Sequence, residues 1–324
     1  MSIELATKVL TPYTRNCNTG NNYEIQVAFA LLRAMGLTNE RIDALTPLIA
    51  GIKACNSRYS VPAYIDRIVS TARASPSPAA APAILDGHTI VDIRNTTQDD
   101  GDGKTADLIV TTAEGAEFGI SVSGGKPSSR GGRIDKCLTN PSAKRLGATA
   151  ADIEAIRALQ ATAVAEFKAH MTATYGADEA SWPERQKTPA AITAATAAAR
   201  IVADRFATLT AEQQIAIFRD LLRIDDVSTM PADYLALAIP ATAAKPLSCK
   251  FYKFGEPIFT RWEPRIVADG IWLHLYNCDA VVGKIQVKFN NGVYHKGKTS
   301  DLHSSWNFTV NLRDIFQLKE VTLR

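Results

Sequence analysis

Hydrophobic residues in the first part of the chain recur at the spacing of amphipathic helices. Residues 23–35 (YEIQVAFALLRAM) have apolar side chains at intervals of three and four, which predicts a helix. A second helix is predicted after Thr38, a suitable N-cap residue, although Pro47 would kink or divide it. A third is predicted over residues 61–74, and the uncharged, proline-containing run 74–83 that follows indicates a linker or surface loop.

The pattern then changes to the two-residue alternation of β-strands. Strands are predicted over residues 89–94, 106–111 and 118–123, and the turn sequence TAEGAE joins the last two. The acidic run QDDGDGK before the second strand lacks the closing glutamate and the spacing of a calcium-binding EF-hand loop. We therefore interpret that run as a solvated turn.

The rest of the sequence divides by composition. Residues 148–247 are rich in alanine and contain three predicted helices. Residues 248–324 return to strand-like runs that are separated by turn residues. We therefore predict a mixed α/β (α+β) chain with three consecutive parts, the first of which is residues 1–147.

The composition changes this picture little but excludes some classes of protein. Of the 324 residues, 46% are hydrophobic and 21% are charged, which is the balance of a globular chain and not of a disordered one. The net charge of +3 is too small to indicate a nucleic-acid partner, so any such indication has to come from local clusters. The sequence predicts neither a signal peptide nor a membrane span, and five scattered cysteines favour reduced thiols in the cytoplasm.

Candidate chemistry lies on the two predicted strands that carry Asp107 and Ser121. Hydrolysis of a phosphodiester requires a divalent cation held by carboxylates, an activated water and positive charge beside the phosphate. A hairpin provides them when one strand carries an aspartate and the next carries an acid and, two residues later, a lysine. The two-residue period of a strand then puts the acid and the lysine on one face. Here Asp107 opens the first strand, and the second strand reads ISVSGGK.

The run GKTADLIVTTAEGAEFGISVSGGKPSSR resembles the hairpin of the PD-(D/E)XK nucleases found among type II restriction endonucleases. The run NTGNNYEIQVAFALL resembles their N-terminal helix, which points a glutamate toward the metal. The resemblance implies a central mixed sheet flanked by helices, with residues 1–147 as the nuclease-like core and residues 248–324 completing that core or reading DNA. It further implies a sequence-specific, Mg²⁺-dependent endonuclease that cuts double-stranded DNA as a homodimer or transient dimer, with Glu24 and Asp107 as metal ligands.

The second strand departs from the family pattern, because Ser121 stands at the position of the second acid and Ser123 at the position of the lysine. A serine hydroxyl still positions a water, but loss of the lysine removes charge that stabilises the transition state. Two explanations are equally favoured: Lys126 supplies this charge, or Ser123 marks an inactive variant. The third is that the protein binds DNA without cutting it. Without this context, Asp107 is equally a cap on a strand end, and Glu24 is an exposed acid in the first turn of a helix. A helical and β protein-interaction scaffold is the third hypothesis.

Two clusters of basic residues are candidate DNA-binding segments. The first follows the second strand, and its PSSRGGR loop offers arginine forks and backbone amides that suit a phosphate backbone. The second lies near the C-terminus, around the predicted loop NNGVYHKGKTS. Solvated loops are the alternative interpretation of both. The expected DNA contacts are Lys126, Arg130, Arg133, Lys136, Lys144 and Arg145 in the first cluster, and Lys288, His295 and Lys296 in the second.

The C-terminal part also contains a rival hairpin. Asp269 or Asp279, followed by Gln286 and Lys288, keeps the lysine of the family pattern and has glutamine in place of the acid. We rank it second, because its aspartates lie among aromatic residues predicted to be in the core and no helix glutamate precedes them at a comparable place. The aromatic residues predicted to be core, and not stacking platforms, are Trp262, Trp272 and Trp306.

Overall fold

The computed structural model divides into two compact units, each built from separated parts of the chain. Unit 1 comprises Met1–Ile134, Asp226–Pro257 and Phe316–Arg324, and unit 2 comprises Asp135–Asp225 and Ile258–Ile315. This division differs from the three consecutive parts expected from composition, because strands far apart in the sequence pair in the same sheet. The residues that the structure describes are 2–15, 21–55, 62–75, 82–96, 106–124, 134–136, 138, 141–183, 185–187, 189–222, 224, 233–241, 246–289, 293–295 and 304–324.

The helices of unit 1 follow the predicted pattern closely. The helices are α1 (Ile3–Leu10), α2 (Asn21–Ala34), α3 (Asn39–Ala44), α4 (Thr46–Cys55) and α5 (Pro62–Ala74). The Thr38 hydroxyl accepts a hydrogen bond from the backbone of Arg41, so Thr38 is the N-cap of α3 as predicted. Pro47 stands at the second position of α4, where its missing N–H costs no helical hydrogen bond, and it therefore divides the predicted helix in two. The sequence prediction did not include α1.

Unit 1 contains a mixed sheet of seven described strands. The strands are β1 (Ile84–Leu85), β2 (His88–Asn95), β3 (Leu108–Thr112), β4 (Glu117–Gly124), β7 (Tyr234–Ile239), β8 (Ser248–Pro257) and β14 (Phe316–Val321). Their order is β1-β2-β3-β4-β7-β8-β14, with β4 and β7 parallel and the other neighbours antiparallel. Because α1 packs on β2 and α2 packs on β4 and β7, helices flank the sheet and the predicted mixed α/β class is confirmed.

Unit 2 contains a second sheet and the alanine-rich helices. Its elements are β5 (Asp135–Lys136), α6 (Ala150–Tyr175), β6 (Arg185–Lys187), α7 (Pro189–Ala207), α8 (Ala211–Leu221), β9 (Pro264–Asp269), β10 (Trp272–Asn277), β11 (Ala280–Phe289), β12 (Val293–His295) and β13 (Ser304–Asn311). Among the described strands, five form a sheet in the order β5-β13-β11-β10-β9, and β12 pairs with β6. Since α7 packs against α6 and against β9, β10 and β11, the alanine-rich helices support this sheet.

Two further expectations concern the cysteines and the membrane. Cys55 is disulfide-bonded, whereas Cys249 and Cys278 carry free thiols. The prediction of reduced cysteines is therefore wrong for Cys55, because spacing along the sequence does not tell which cysteines meet in the fold. Within the ranges given above, no helix is both long and apolar enough to cross a bilayer.

A capping box and an ion pair hold the start of α6. The backbone N–H of Thr149 donates to Asp152 Oδ2 at 2.8 Å, and the backbone N–H of Asp152 donates to Thr149 Oγ1 at 3.2 Å. Arg205 Nε donates to the same Oδ2 at 2.8 Å, which joins α6 to α7. The hydrogen bonds from Arg205 and then from Thr149 hold the pKa of Asp152 well below its ordinary value.

We expect Asp152→Asn to lower the midpoint of thermal unfolding at neutral pH, because Arg205 loses its counter-charge. The pKa of Asp152 is lowered by folding, so its stabilising contribution is complete above about pH 5 and is lost as the pH falls below about 4. Thermal unfolding across this range should therefore show a difference between the native protein and the variant that shrinks at low pH. Arg157→Gln, which breaks an exposed pair with Glu154 on the same helix, is the control and should change the midpoint little. A pH-independent difference would contradict the assignment.

Candidate active site

Asp107 directly precedes β3 and lies beside the part of β4 that contains Ser121. The backbone N–H of Asp107 donates to the carbonyl of Ile120 at 2.9 Å, and Leu108 pairs with Ile120 in the register of the two strands. Asp107 and Leu108 thus share Ile120 as their partner, so the regular register does not continue to Asp107 and Ser121. On β4, Ser123 lies two residues after Ser121 on the same face. The structure thus places Asp107 against the backbone of β4 next to Ser121 and puts the two serines on one face of that strand.

The three residues differ in how far they are buried. Ser121 is buried, with 4% of its surface exposed, whereas Asp107 and Ser123 are half-buried. On the parallel neighbour β7, Leu235 pairs with Ser121 and Leu237 with Ser123, and both leucines are buried. The serine at the second-acid position therefore stands in an apolar environment that would penalise an unpaired charge.

The carboxylate of Asp107 also has a structural role. Its Oδ2 accepts a hydrogen bond from the backbone N–H of Val122 at 2.5 Å. Val122 is buried on β4, so the carboxylate satisfies a donor at the point where the backbone pairing of β3 and β4 ends. This is the strand-end cap that the sequence left open as an alternative. A carboxylate has about four acceptor positions, so this bond and metal ligation are chemically compatible.

Glu24 lies on the helix that covers the other face of β4. It follows Tyr23 in the first turn of α2 and is half-buried. Gly124 shares the face of Val122, and a methyl group at position 124 would overlap the ring of Tyr23, which places α2 on that face. The helix that carries Glu24 therefore lies on the side of β4 opposite to the face of Ser121 and Ser123. Over the described ranges, no group of three or more histidine, cysteine, aspartate and glutamate side chains forms a ready metal site.

A buried glutamine that the sequence reasoning missed fixes the position of α2. Gln26 Nε2 donates to the carbonyl of Ser248 at 2.8 Å and to that of Ile239 at 3.2 Å, and its Oε1 accepts from the hydroxyl of Tyr64. These bonds tie α2 to the end of β7, the start of β8 and α5. A polar residue within a helical apolar stripe was the available signal, but the two carbonyl groups that it binds lie more than 200 residues away in the sequence.

A lysine outside the predicted motif lies in the same row as Ser123. Ser123 pairs with Leu237 on β7, and Leu237 pairs with Lys250 on β8, so the three side chains share a face. Two strand spacings separate Ser123 from Lys250, which is about 9.6 Å. Lys250 Nζ forms an exposed ion pair with Glu320, at 3.0 and 3.1 Å from its two carboxylate oxygens. Lys253, three residues later on β8, pairs with Asp86 on the opposite face.

The predicted DNA contacts fall into three groups: those outside the described residues, those placed only in a short strand, and those whose side chains the structure describes. Lys126, Arg130, Arg133 and Lys296 lie outside the described residues, and Lys136 and His295 are placed in β5 and β12. Lys144 is exposed on a single helical turn. Its neighbour Arg145 donates from Nε and from Nη2 to the two carboxylate oxygens of Asp220, at 2.5 and 2.8 Å, and this fork raises its pKa. Lys288 is half-buried on β11.

The rival hairpin is not assembled as the sequence pattern suggested. Trp272 on β10 pairs with Asp269 on one side and with Gln286 on the other, so a whole strand separates this aspartate from the glutamine. Asp279 lies in the turn between β10 and β11, at the other end of β10. The side chain of Asp269 is 83% exposed, so the expectation that it lies in the core is wrong.

A cavity of about 540 Å³ in unit 1 lies away from this chemistry. It is lined mainly by apolar side chains of α2 and α5 together with Arg33 and Cys249. Burial raises the pKa of the Cys249 thiol to about 12, so this cysteine is not a nucleophile at neutral pH. The cavity does not include Asp107 or Ser121, and we do not assign the reaction to it.

Comparison with known proteins adds no family to this geometry: no protein-family model, no curated protein and no solved structure matches the chain. The resemblance to restriction endonucleases therefore rests on two sequence runs alone, the predicted hairpin with Asp107 and Ser121 and the helix with Glu24.

Replacing Asp107 separates its two roles. We expect Asp107→Ala to lower the free energy of unfolding by about 1–3 kcal/mol, because the buried N–H of Val122 loses its acceptor. Asp107→Asn keeps an acceptor oxygen and should remain close to the native stability. Urea unfolding of both variants measures the difference. Equal stability of the two variants would show that the hydrogen bond to Val122 contributes nothing.

Proposed function

We propose that this protein is a Mg²⁺-dependent, sequence-specific endonuclease that hydrolyses double-stranded DNA, of the type II restriction kind, acting at the Asp107 end of β3 and β4. The observation that carries the proposal is the position of the Asp107 carboxylate, which accepts a hydrogen bond from Val122, the residue after Ser121, beside two central strands of a mixed sheet flanked by helices. A palindromic target would be cut by a homodimer or a transient dimer. Such an enzyme would act in the cytoplasm.

The donor atoms at this site suit a hard cation. Mg²⁺ prefers oxygen ligands and binds proteins through one or two carboxylates while keeping several waters. Asp107 and Glu24 would hold the ion, and the hydroxyl of Ser121 would orient a water. When bound, the ion supplies Lewis-acid stabilisation of the phosphoryl oxygens.

The positive charge that the family takes from its lysine has two candidate sources. Lys126 follows β4 in the sequence and lies outside the described residues. Lys250 lies in the row of Ser123 and Leu237, with a side chain long enough to turn toward Ser123. A phosphate bound beside Ser123 would compete with Glu320 for Lys250, because both are anions at the same surface.

A DNA-binding protein without cleavage is the second candidate function. The observation that favours it is the pair of serines: Ser121 is buried between apolar neighbours, and Ser123 provides no charge. On this alternative, the same fold binds DNA through its basic segments.

Cleavage of plasmid DNA with Mg²⁺ tests the nuclease. The native protein or Ser123→Lys should give discrete fragments, and Asp107→Asn should abolish them without loss of stability or of duplex binding. Salt-sensitive duplex binding without cutting by either protein would favour the second function, and no binding at low salt would exclude both and leave the interaction scaffold.

The source of the positive charge beside the phosphate is tested in the native protein or in Ser123→Lys, whichever of the two cleaves DNA. Lys250→Gln should slow cleavage roughly 100-fold if Lys250 stabilises the transition state. Lys253→Gln is the matched control, because Lys253 lies on the same strand, is also paired with an acid and faces the other side of the sheet. Unchanged cleavage by Lys250→Gln would leave Lys126 as the source.

A further inference from the structure

The outer face of the five-stranded sheet in unit 2 carries a row of aromatic rings. Along β10, Leu273 and Leu275 are buried, whereas Trp272, His274 and Tyr276 alternate with them and are half-buried. The buried residues of β10 lie on the face supported by α7, so the three rings lie on the other face. The expectation that Trp272 is a core residue is therefore wrong, whereas Trp306 is buried as expected.

The spacing of these rings suits successive bases. Residues two apart on a strand are about 6.6 Å apart, so the three rings extend over about 13 Å of β10. β10 lies between β9 and β11, so both edges of the row are flanked by further side chains of the same face. In register, Arg265 pairs with Tyr276 on one side and Gln286 pairs with Trp272 on the other.

Cations lie over two of the rings. The guanidinium carbon of Arg265 is 4.9 Å from the ring centre of Tyr276, and Lys284 Nζ is 4.7 Å from the ring centre of Trp272. Lys288 shares the face of Lys284, since the two lie four residues apart on β11 and every second residue of a strand faces the same side. The one acid among the described residues of this face on β9, β10 and β11 is Asp269, whose Oδ2 is 3.9 Å from His274 Nε2. The face therefore combines aromatic rings with an excess of positive charge.

We propose that this face binds single-stranded nucleic acid, with unpaired bases stacked on the rings of β10 and phosphates on the flanking cations. Aromatic platforms within a positively charged surface are the features by which proteins bind single strands without strong sequence preference. A duplex keeps its bases stacked on one another and has no free base face to offer a ring. On binding, a base takes the ring face of Trp272 or Tyr276, and Lys284 or Arg265 moves from the ring to a phosphate. Gln286 and Asn307, on the same face, provide hydrogen bonds to base edges.

This proposal is independent of the proposed endonuclease. It concerns unit 2 and requires no metal, and none of the residues tested for cleavage belongs to this face. It can therefore fail while the nuclease assay succeeds, and the reverse also holds.

The experiment measures binding of a fluorescent oligothymidylate to the full chain in EDTA at low salt. Trp272→Ala and Tyr276→Ala should each weaken binding roughly tenfold, since stacking of one base on an aromatic side chain has about that effect. Trp272→Phe keeps a ring and should retain affinity within about threefold, while losing most of the tryptophan quenching that a stacked base causes. Thermal unfolding of each variant establishes that it is folded.

A charge pair provides the matched control. Lys284→Glu should weaken binding and reduce its salt dependence, because it removes a phosphate contact. Arg200→Glu makes the same change of charge at an exposed position of α7, which packs against the buried face of the sheet, and should leave binding unchanged. Native affinity in folded Trp272→Ala and Lys284→Glu would overturn the proposal. Tighter binding of a duplex than of the single strand, with the same residues required, would overturn it in favour of duplex binding.

Discussion

The parallel pairing of β4 with β7 is the constraint on which the chain's organisation depends. Antiparallel neighbours can be joined by a tight turn, but a parallel neighbour requires the chain to return to the starting end of the sheet. Between Gly124 and Tyr234 the chain makes this return with Asp135–Asp225, the first part of unit 2. The second part of unit 2, Ile258–Ile315, leaves between β8 and β14. Unit 2 is thus formed by two chain segments, each of which connects two strands of the unit 1 sheet.

This arrangement makes β4 a central strand, so its backbone N–H and C=O groups need hydrogen-bond partners on the neighbouring strands or on nearby side chains. At the end of the β3–β4 pairing, the N–H of Val122 has no carbonyl of β3 to bond and takes the carboxylate of Asp107 instead. The residue that the nuclease chemistry would need is therefore also needed by the sheet. Loss of activity in an alanine variant alone would not distinguish these roles, whereas asparagine preserves the hydrogen bond and removes only the charge.

The periodicity of the sequence predicted the local elements. Features that depend on how the strands pair and which faces they bury could not be predicted from it. The helical spacing before Gly36 and the alternation in 118–123 correspond to α2 and β4. The continuous apolar run of β7, YLALAI, has no alternation because both of its faces are buried, and a run of this kind does not distinguish a strand from part of a helix. Trp272 was misassigned because every residue of WLHLY is apolar or aromatic, so hydrophobicity did not show which of the two alternating sets of side chains is buried. Lys250 could not be linked to Ser123, because a row across strands depends on register and not on spacing in the sequence.

The serine at position 121 has a physical consequence that goes beyond the loss of a ligand. An acid at this buried position would directly precede Val122, whose N–H binds the Asp107 carboxylate, and two carboxylates this close would repel each other until a cation neutralised them. With serine, one carboxylate remains and it already accepts a backbone hydrogen bond, so the sheet needs no cation for its stability. The cost is that a cation would find fewer charged ligands and bind more weakly. The pair Asp107 and Ser121 therefore favours a site that is stable when empty, which suits either an enzyme that acquires Mg²⁺ together with the DNA phosphate or a protein that uses this fold to bind DNA.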